Sequence, residues 1–158
     1  MGARFEYAQA EEIRDAFARH GVRYLFLGKS GAILLGFPDT TQDADVFVEK
    51  SAANGEALVA ALAELGFALT EPQADEIRRG KDFVQLKNGP FDLDLIFAPD
   101  GIETFDDAYS RRVEVEGFFV CHLDDIIRSK AATNRVKDRE SLPRLVGFRD
   151  YWLRTRRP

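Results

Sequence analysis

Asp43 and Asp45 stand one residue apart in DADVFVE, residues 43–49, a stretch whose alternation is that of a β-strand. Side chains two apart on a strand point to the same face, about 6.6 Å apart at ~3.3 Å per residue. Asp92 and Asp94 repeat the pattern in FDLDLIF, where Leu93, Leu95 and Phe97 take one face and both aspartates the other. Aspartate is a poor strand former, so four of them inside two otherwise apolar strands break local consistency, as functional sites tend to do. If the two strands are neighbours, three or four carboxylates converge and repel unless a cation sits among them. Hard oxygen ligands with room for water suit Mg²⁺, and a pair of such ions typically sits ~3.5–4 Å apart. The competing reading is a set of solvated acids on an outer face.

Two cationic features accompany the acids. Residues 28–36, GKSGAILLG, follow an apolar strand and open a short helix, a place where backbone N–H groups hold phosphate and Lys29 can reach it. The Gly28-Lys29-Ser30 string is not a Walker A loop, because Arg23 occupies the position of that loop's first glycine. Lys130 lies three, four and seven residues after Ile127, Ile126 and Leu123. That puts an ammonium on or beside the buried stripe of a helix, where it snorkels or points into a charged cleft. Arg135, Lys137 and Asp138 follow at the helix end.

The elements that must position these residues alternate along the chain. Helices are expected over 8–20, 30–36, 54–65, 103–110, 123–134 and 139–153, and strands over 22–27, 43–49, 82–87, 91–97 and 113–120, the last as an edge. Asn88-Gly89 between two strands is a hairpin signal, and it forces an antiparallel pair. The fold class is therefore α/β (α+β), a small mixed sheet with flanking helices. No repeat or long linker divides the 158 residues, so one domain over 1–158 is expected, with a basic helical part from about 122. Apolar residues make up 45% and charged residues 31%, which excludes a disordered, collagenous or coiled-coil chain. No apolar run is long enough for a membrane span, and MGARFEYAQAEE reaches acids too soon for a signal peptide. One cysteine, Cys121, allows no internal disulfide, reads as a buried thiol, and fits a cytoplasmic setting. His20 is expected at its helix C-terminus, and Trp152 and the phenylalanines in the core.

The net charge of −5 hides a division. Residues 1–126 carry −12 and residues 127–158 carry +7. The basic part can serve as an arm for polyanions or hold two halves of one fold together. Its Leu142, Leu145, Val146 and Trp152 are core-type residues that a disordered tail lacks.

The order of strand, small-residue turn, helix, Gly-x-Pro, Asp-x-Asp and a later strand aspartate resembles the minimal nucleotidyltransferase domain of the DNA polymerase β superfamily. Within it, the chain is most similar to the bacterial group that includes abortive-infection type IV toxin nucleotidyltransferases. The stretches that carry the likeness are FLGKSGAILLGFPDTTQDADVFV, FDLDLIFAPDG, FDDAYSRR and LDDIIRSKAATNRVKD, spanning roughly residues 22–150. The resemblance implies a Mg²⁺-dependent transfer of a nucleoside monophosphate from an NTP to an acceptor hydroxyl on RNA, protein or a small molecule. It implies a toxin role with a cognate antitoxin as partner. Asp43 and Asp45 would bind two Mg²⁺ ions, and Asp94, seven residues before Gly101, would be the third carboxylate, with Asp92 as the fallback. Gly28 and Ser30 would line the phosphates, and Lys130, Lys137 and Asp138 match the family's C-terminal lysine and its Arg-x-Lys-Asp element. Two positions depart from the family pattern. Lys29 separates Gly28 from Ser30, and Asp39 stands where the family often has arginine. These departures also motivate an alternative, a catalytically degenerate member that works as a nucleotide- or partner-binding module.

Overall fold

The computed structural model describes residues 5–155, so the first four residues of the N-terminal stretch and the last three of the basic segment lie outside the description. Helix α1, Tyr7–His20, buries Ala10, Ile13, Ala16 and Phe17 along one stripe, and a Glu6–Gln9 capping box starts it. Strand β1, Tyr24–Leu27, is buried at all four positions. That is the signature of a central strand covered on both faces. Helix α2, Gly28–Leu34, follows without a loop, and β2, Asp43–Val48, carries the first aspartate pair. Helix α3, Ala52–Leu65, is capped by Ser51, whose hydroxyl accepts from the Asn54 amide at 3.1 Å.

Strands β3, Phe83–Leu86, and β4, Asp92–Ile96, form the antiparallel pair expected of the Asn88-Gly89 turn. Helix α5, Phe105–Ser110, is capped by Thr104, and α6, Leu123–Thr133, by the His122 ring, whose Nδ1 accepts from the Asp124 amide at 3.0 Å. The six strands lie in the order β3-β4-β2-β1-β6-β5, with β2–β4 and β1–β6 parallel and the other pairs antiparallel. The architecture is a mixed six-stranded sheet flanked by seven helices among the described residues. Phe17 of α1 meets Tyr24 edge-on at 4.9 Å on one face. Phe105 of α5 meets Phe47 at 5.1 Å on the other. No helix among the described residues is long and apolar enough to cross a membrane.

Three sequence expectations change. Residues 113–120 are not one edge strand but a hairpin of β5, Val113–Val115, and β6, Phe118–Val120. Glu116 and Gly117 between them both have positive φ (50° and 80°), as a tight two-residue hairpin turn requires. Only β5 is an edge; β6 pairs with central β1. Helix α4, Glu71–Arg79, lies in a stretch given no element above. Its signals were present: a Thr70–Gln73 capping box, Pro72 in the first turn, and Gly80 after the last. The last helix, α7, Val136–Thr155, begins three residues before 139. The Asp138 carboxylate accepts from the Arg135 amide at 3.2 Å and so satisfies a donor of the first turn. His20 stands at the C-terminus of α1 as expected, and its Nε2 also bonds Glu64 of α3 at 2.9 Å.

Candidate functional site

The sheet register brings the two aspartate pairs together. In the parallel β2–β4 ladder Asp43 is opposite Asp92 and Asp45 opposite Asp94. Strands in register lie ≈ 4.7–4.9 Å apart, so opposed carboxylates on one face reach one another. Asp94 is only 8% exposed. Burial, the Asp94 charge and a hydrogen bond to Asp94 push the Asp45 carboxyl up to about 8, against a lowering pull from Lys130. Burial and the Asp43 charge also raise Asp94, while Asp45 and Gln85, its β3 register partner, bond it and pull it down. Each carboxyl group is thus held toward its neutral form, Asp45 by burial and Asp94, and Asp94 by burial and Asp43.

Asp43, Asp45 and Asp94 line one polar cleft of about 100 Å³ with Lys29, Thr41, Lys130, Arg135, Lys137 and Ser141. Asp92 is not among its lining residues, which separates Asp94 from the fallback. Three elements arrive at this point because their local sequences stop there. The β1–α2 junction places Gly28 against Asp45 at φ +63°, and a Cβ at Gly28 would overlap the Asp45 carboxylate. Both the backbone and the space thus require glycine. Ser30 is 1% exposed and turns inward. Its hydroxyl donates to Leu27 O at 2.9 Å and accepts from the Asp45 amide at 3.0 Å. Ser30 thereby pins β2 to the α2 junction, and it does not line the cleft.

The cations enter from α6 and α7. Asn134, in a left-handed conformation at φ 53°, ends α6 and turns the chain into α7. Just across that turn the fully buried Asp138 accepts from Lys130 Nζ at 3.3 Å and from Arg135 Nε at 2.8 Å. Burial works against the Asp138 charge, but Arg135 and Lys130 outweigh it and hold the carboxyl below its usual range. Burial lowers the Lys130 ammonium despite Asp138 and Asp45. Asp138 thus aims two cations over the aspartate pair. Lys29 reaches Asp39 at 3.3 Å, and Arg144 of α7 reaches the same carboxylate at 3.0 Å. Asp39 is therefore compensated, and α7 supplies a guanidinium beside it.

The basic segment is largely spent inside the molecule. Arg128 meets Asp125 at 2.8 Å, Arg144 meets Asp39 and Arg149 meets Asp124 at 2.9 Å. Arg128 thus pairs within α6, Arg149 joins α7 to α6, and Arg144 ties α7 to Asp39 ahead of β2. Cys121 is fully buried, and its thiol is pushed up by burial.

Sequence reasoning left out Arg135, Thr41, Ser141 and Gln85 as site residues. Arg135 was legible in the Arg-x-Lys-Asp string; the others are brought in by strand register and by the packing of α7, which no local pattern encodes. Among the described residues, no group of three or more His, Cys, Asp or Glu side chains is arranged to hold a metal ion. The chain matches no protein-family model and no curated protein.

Proposed function

We propose that the protein belongs to the class of phosphoryl-transfer enzymes built on strand aspartates, and within it that it is a nucleotidyltransferase joining a nucleoside monophosphate to an acceptor hydroxyl. The observation that carries this reading is the register pairing of Asp45 with Asp94, beside Asp43, under Lys130 and Arg135. Acids alone would be a solvated face; acids partly withdrawn from water, with cations held opposite by a buried carboxylate, form a site prepared for a charged guest.

The donor set fits Mg²⁺. This ion is usually held by one or two carboxylates together with substrate phosphates and water, rather than by an all-protein cage. Burial and the neighbouring acids work against the charge on Asp45 and Asp94, a cost that a bound cation would relieve. Two of Asp43, Asp45 and Asp94 would hold the metal together with substrate phosphates, and when bound it would supply charge neutralisation for a triphosphate. Lys130 and Arg135 would take charge developing on the departing pyrophosphate. Asp94 would accept the proton of the attacking hydroxyl, and the new oxygen–phosphorus bond would form as the bond to pyrophosphate breaks. Gly28 would let a phosphate approach the carboxylates without meeting a side chain.

Mg²⁺-dependent NTP binding tests the reading. Native protein should bind and Asp45→Asn should lose at least tenfold in affinity; equal affinity in both sinks it. The inward turn of Ser30 and the engagement of Lys29 by Asp39 favour a second reading, a binding module without turnover. Incubation with α-labelled NTPs and total cell RNA or protein separates the two, since any transfer of label removes the binding-only reading.

A further inference from the structure

Beside the polar cleft lies a second, larger cavity of about 260 Å³ that shares Asp45, Lys130 and Arg135 with it. The two arms differ in chemistry. Lys29 and Lys137 line the polar arm and its outward continuation past Thr40 and Gln42. The larger arm has apolar walls from Phe83, Ile96, Pro99 and Ile126, with Asp82 and Asp100 also lining it. A triphosphate belongs with the lysines and is repelled by Asp82 and Asp100. What enters the larger arm beside it carries no phosphate.

Phe83 points to what that is. All thirteen phenylalanines lie among the described residues, and Phe83, 46% exposed, is the one whose ring is exposed. It stands on edge strand β3, opposite Ile96, on the face that carries Asp94. An uncovered ring at the wall of a cavity is a stacking surface for another flat ring. Asp82 and Asp100 make no ion pair or side-chain hydrogen bond among the described residues, unlike Asp39, which Lys29 engages, and Asp138, which Lys130 engages. Both are exposed, so their carboxylates are open to a donor that enters the arm. The volume lies just under the ~300–1,000 Å³ of drug-sized sites, which suits a nucleoside and not a folded partner.

We propose that this arm holds the nucleobase and selects bases bearing an exocyclic amino group over uracil. Phe83 stacks on the ring, and Asp82 or Asp100 accepts from its amino group. Uracil turns carbonyl oxygens toward the same carboxylates and is rejected. The inference rests on the nucleotidyltransferase reading.

Calorimetric titration of the native full chain at saturating Mg²⁺ with inorganic tripolyphosphate, CTP, ATP and UTP tests it. CTP and UTP are matched in size and differ at the amino position. CTP and ATP should bind about tenfold tighter than UTP and tripolyphosphate. Phe83→Ala should reduce the CTP-to-tripolyphosphate affinity ratio about tenfold, and Asp82→Asn with Asp100→Asn should narrow the CTP-to-UTP gap. Tripolyphosphate bound as tightly as CTP, or CTP and UTP bound alike, overturns the base site and leaves the reading of the polar arm standing. Failure of tripolyphosphate and of every NTP to bind overturns both.

Discussion

Replacing Asp45 by asparagine should stabilise the metal-free protein. Burial and Asp94 raise the Asp45 carboxyl from 3.8 to about 8. A raised acid contributes stability that is fully present below its unfolded pKa and lost as pH rises through the folded one. Native protein should therefore lose stability steadily between about pH 4 and pH 8. One pKa unit is worth about 1.4 kcal/mol, so the whole interval is an upper bound of about 6 kcal/mol. Asp45 keeps partial contact with water, and the carboxylate pair shares the charge, which brings the expected gain to about 2 kcal/mol at pH 8. Asparagine keeps the shape and can still donate to Asp94, but carries no charge. At about 2–4 °C per kcal/mol for a chain of this length, Asp45→Asn should raise Tm by about 4–8 °C at pH 8 in EDTA, and by little at pH 4.5. Added Mg²⁺ should raise the native Tm, by about 2.7 kcal/mol in stability at a hundred times its Kd, and should move the variant far less. Differential scanning calorimetry at the two pH values, with and without Mg²⁺, reads all four conditions. A variant less stable than native at pH 8, or an equal Mg²⁺ response in both, refutes the reasoning.

Gly28→Ala should cost about 1–3 kcal/mol in denaturant melts, because the left-handed backbone and the Asp45 carboxylate both exclude a methyl group, and it should weaken Mg²⁺-dependent NTP binding. Ser30→Ala should cost about 1–3 kcal/mol by leaving the buried Asp45 amide without its acceptor; a loss of nucleotide affinity with unchanged stability would show that the hydroxyl acts on phosphate instead. Asp125 is fully buried between Arg111 and Arg128, so Asp125→Asn should lose about 3–5 kcal/mol, whereas Arg79→Gln, which breaks an exposed helix pair with Asp75, should lose under about 0.5 kcal/mol. Asp138 has a depressed pKa, so its contribution is present above about pH 4 and lost as pH falls through the folded value; Asp138→Asn should flatten that acid limb of the stability profile.

Local patterns were enough wherever one residue's neighbours in sequence are also its neighbours in space. The stripe of α1, the alternation of β2 and β4 and the antiparallel pairing of β3 with β4 were legible for that reason. The stretch before Gly80 carried capping signals but no apolar stripe, because α4 is short and buries only Ala74 and Ile77. Residues 113–120 read as one strand because Glu116 is no turn residue by type; only its positive φ beside Gly117 reveals the hairpin.

The same division runs through the site. Asp43, Asp45, Asp92, Asp94, Lys29 and Lys130 were candidates by type and spacing alone, since period two puts paired acids on one face whatever the fold; Lys137 entered only through the family resemblance. Which acids meet was set by the parallel register of β2 and β4, which opposes Asp45 to Asp94. Which cations face them was set by the turn at Asn134 and the buried Asp138 beyond it. Spacing along a chain dictates the face a side chain takes, because backbone periodicity is local. It leaves open what stands across that face, because strand order and helix docking are settled by burial of apolar surface over the whole molecule.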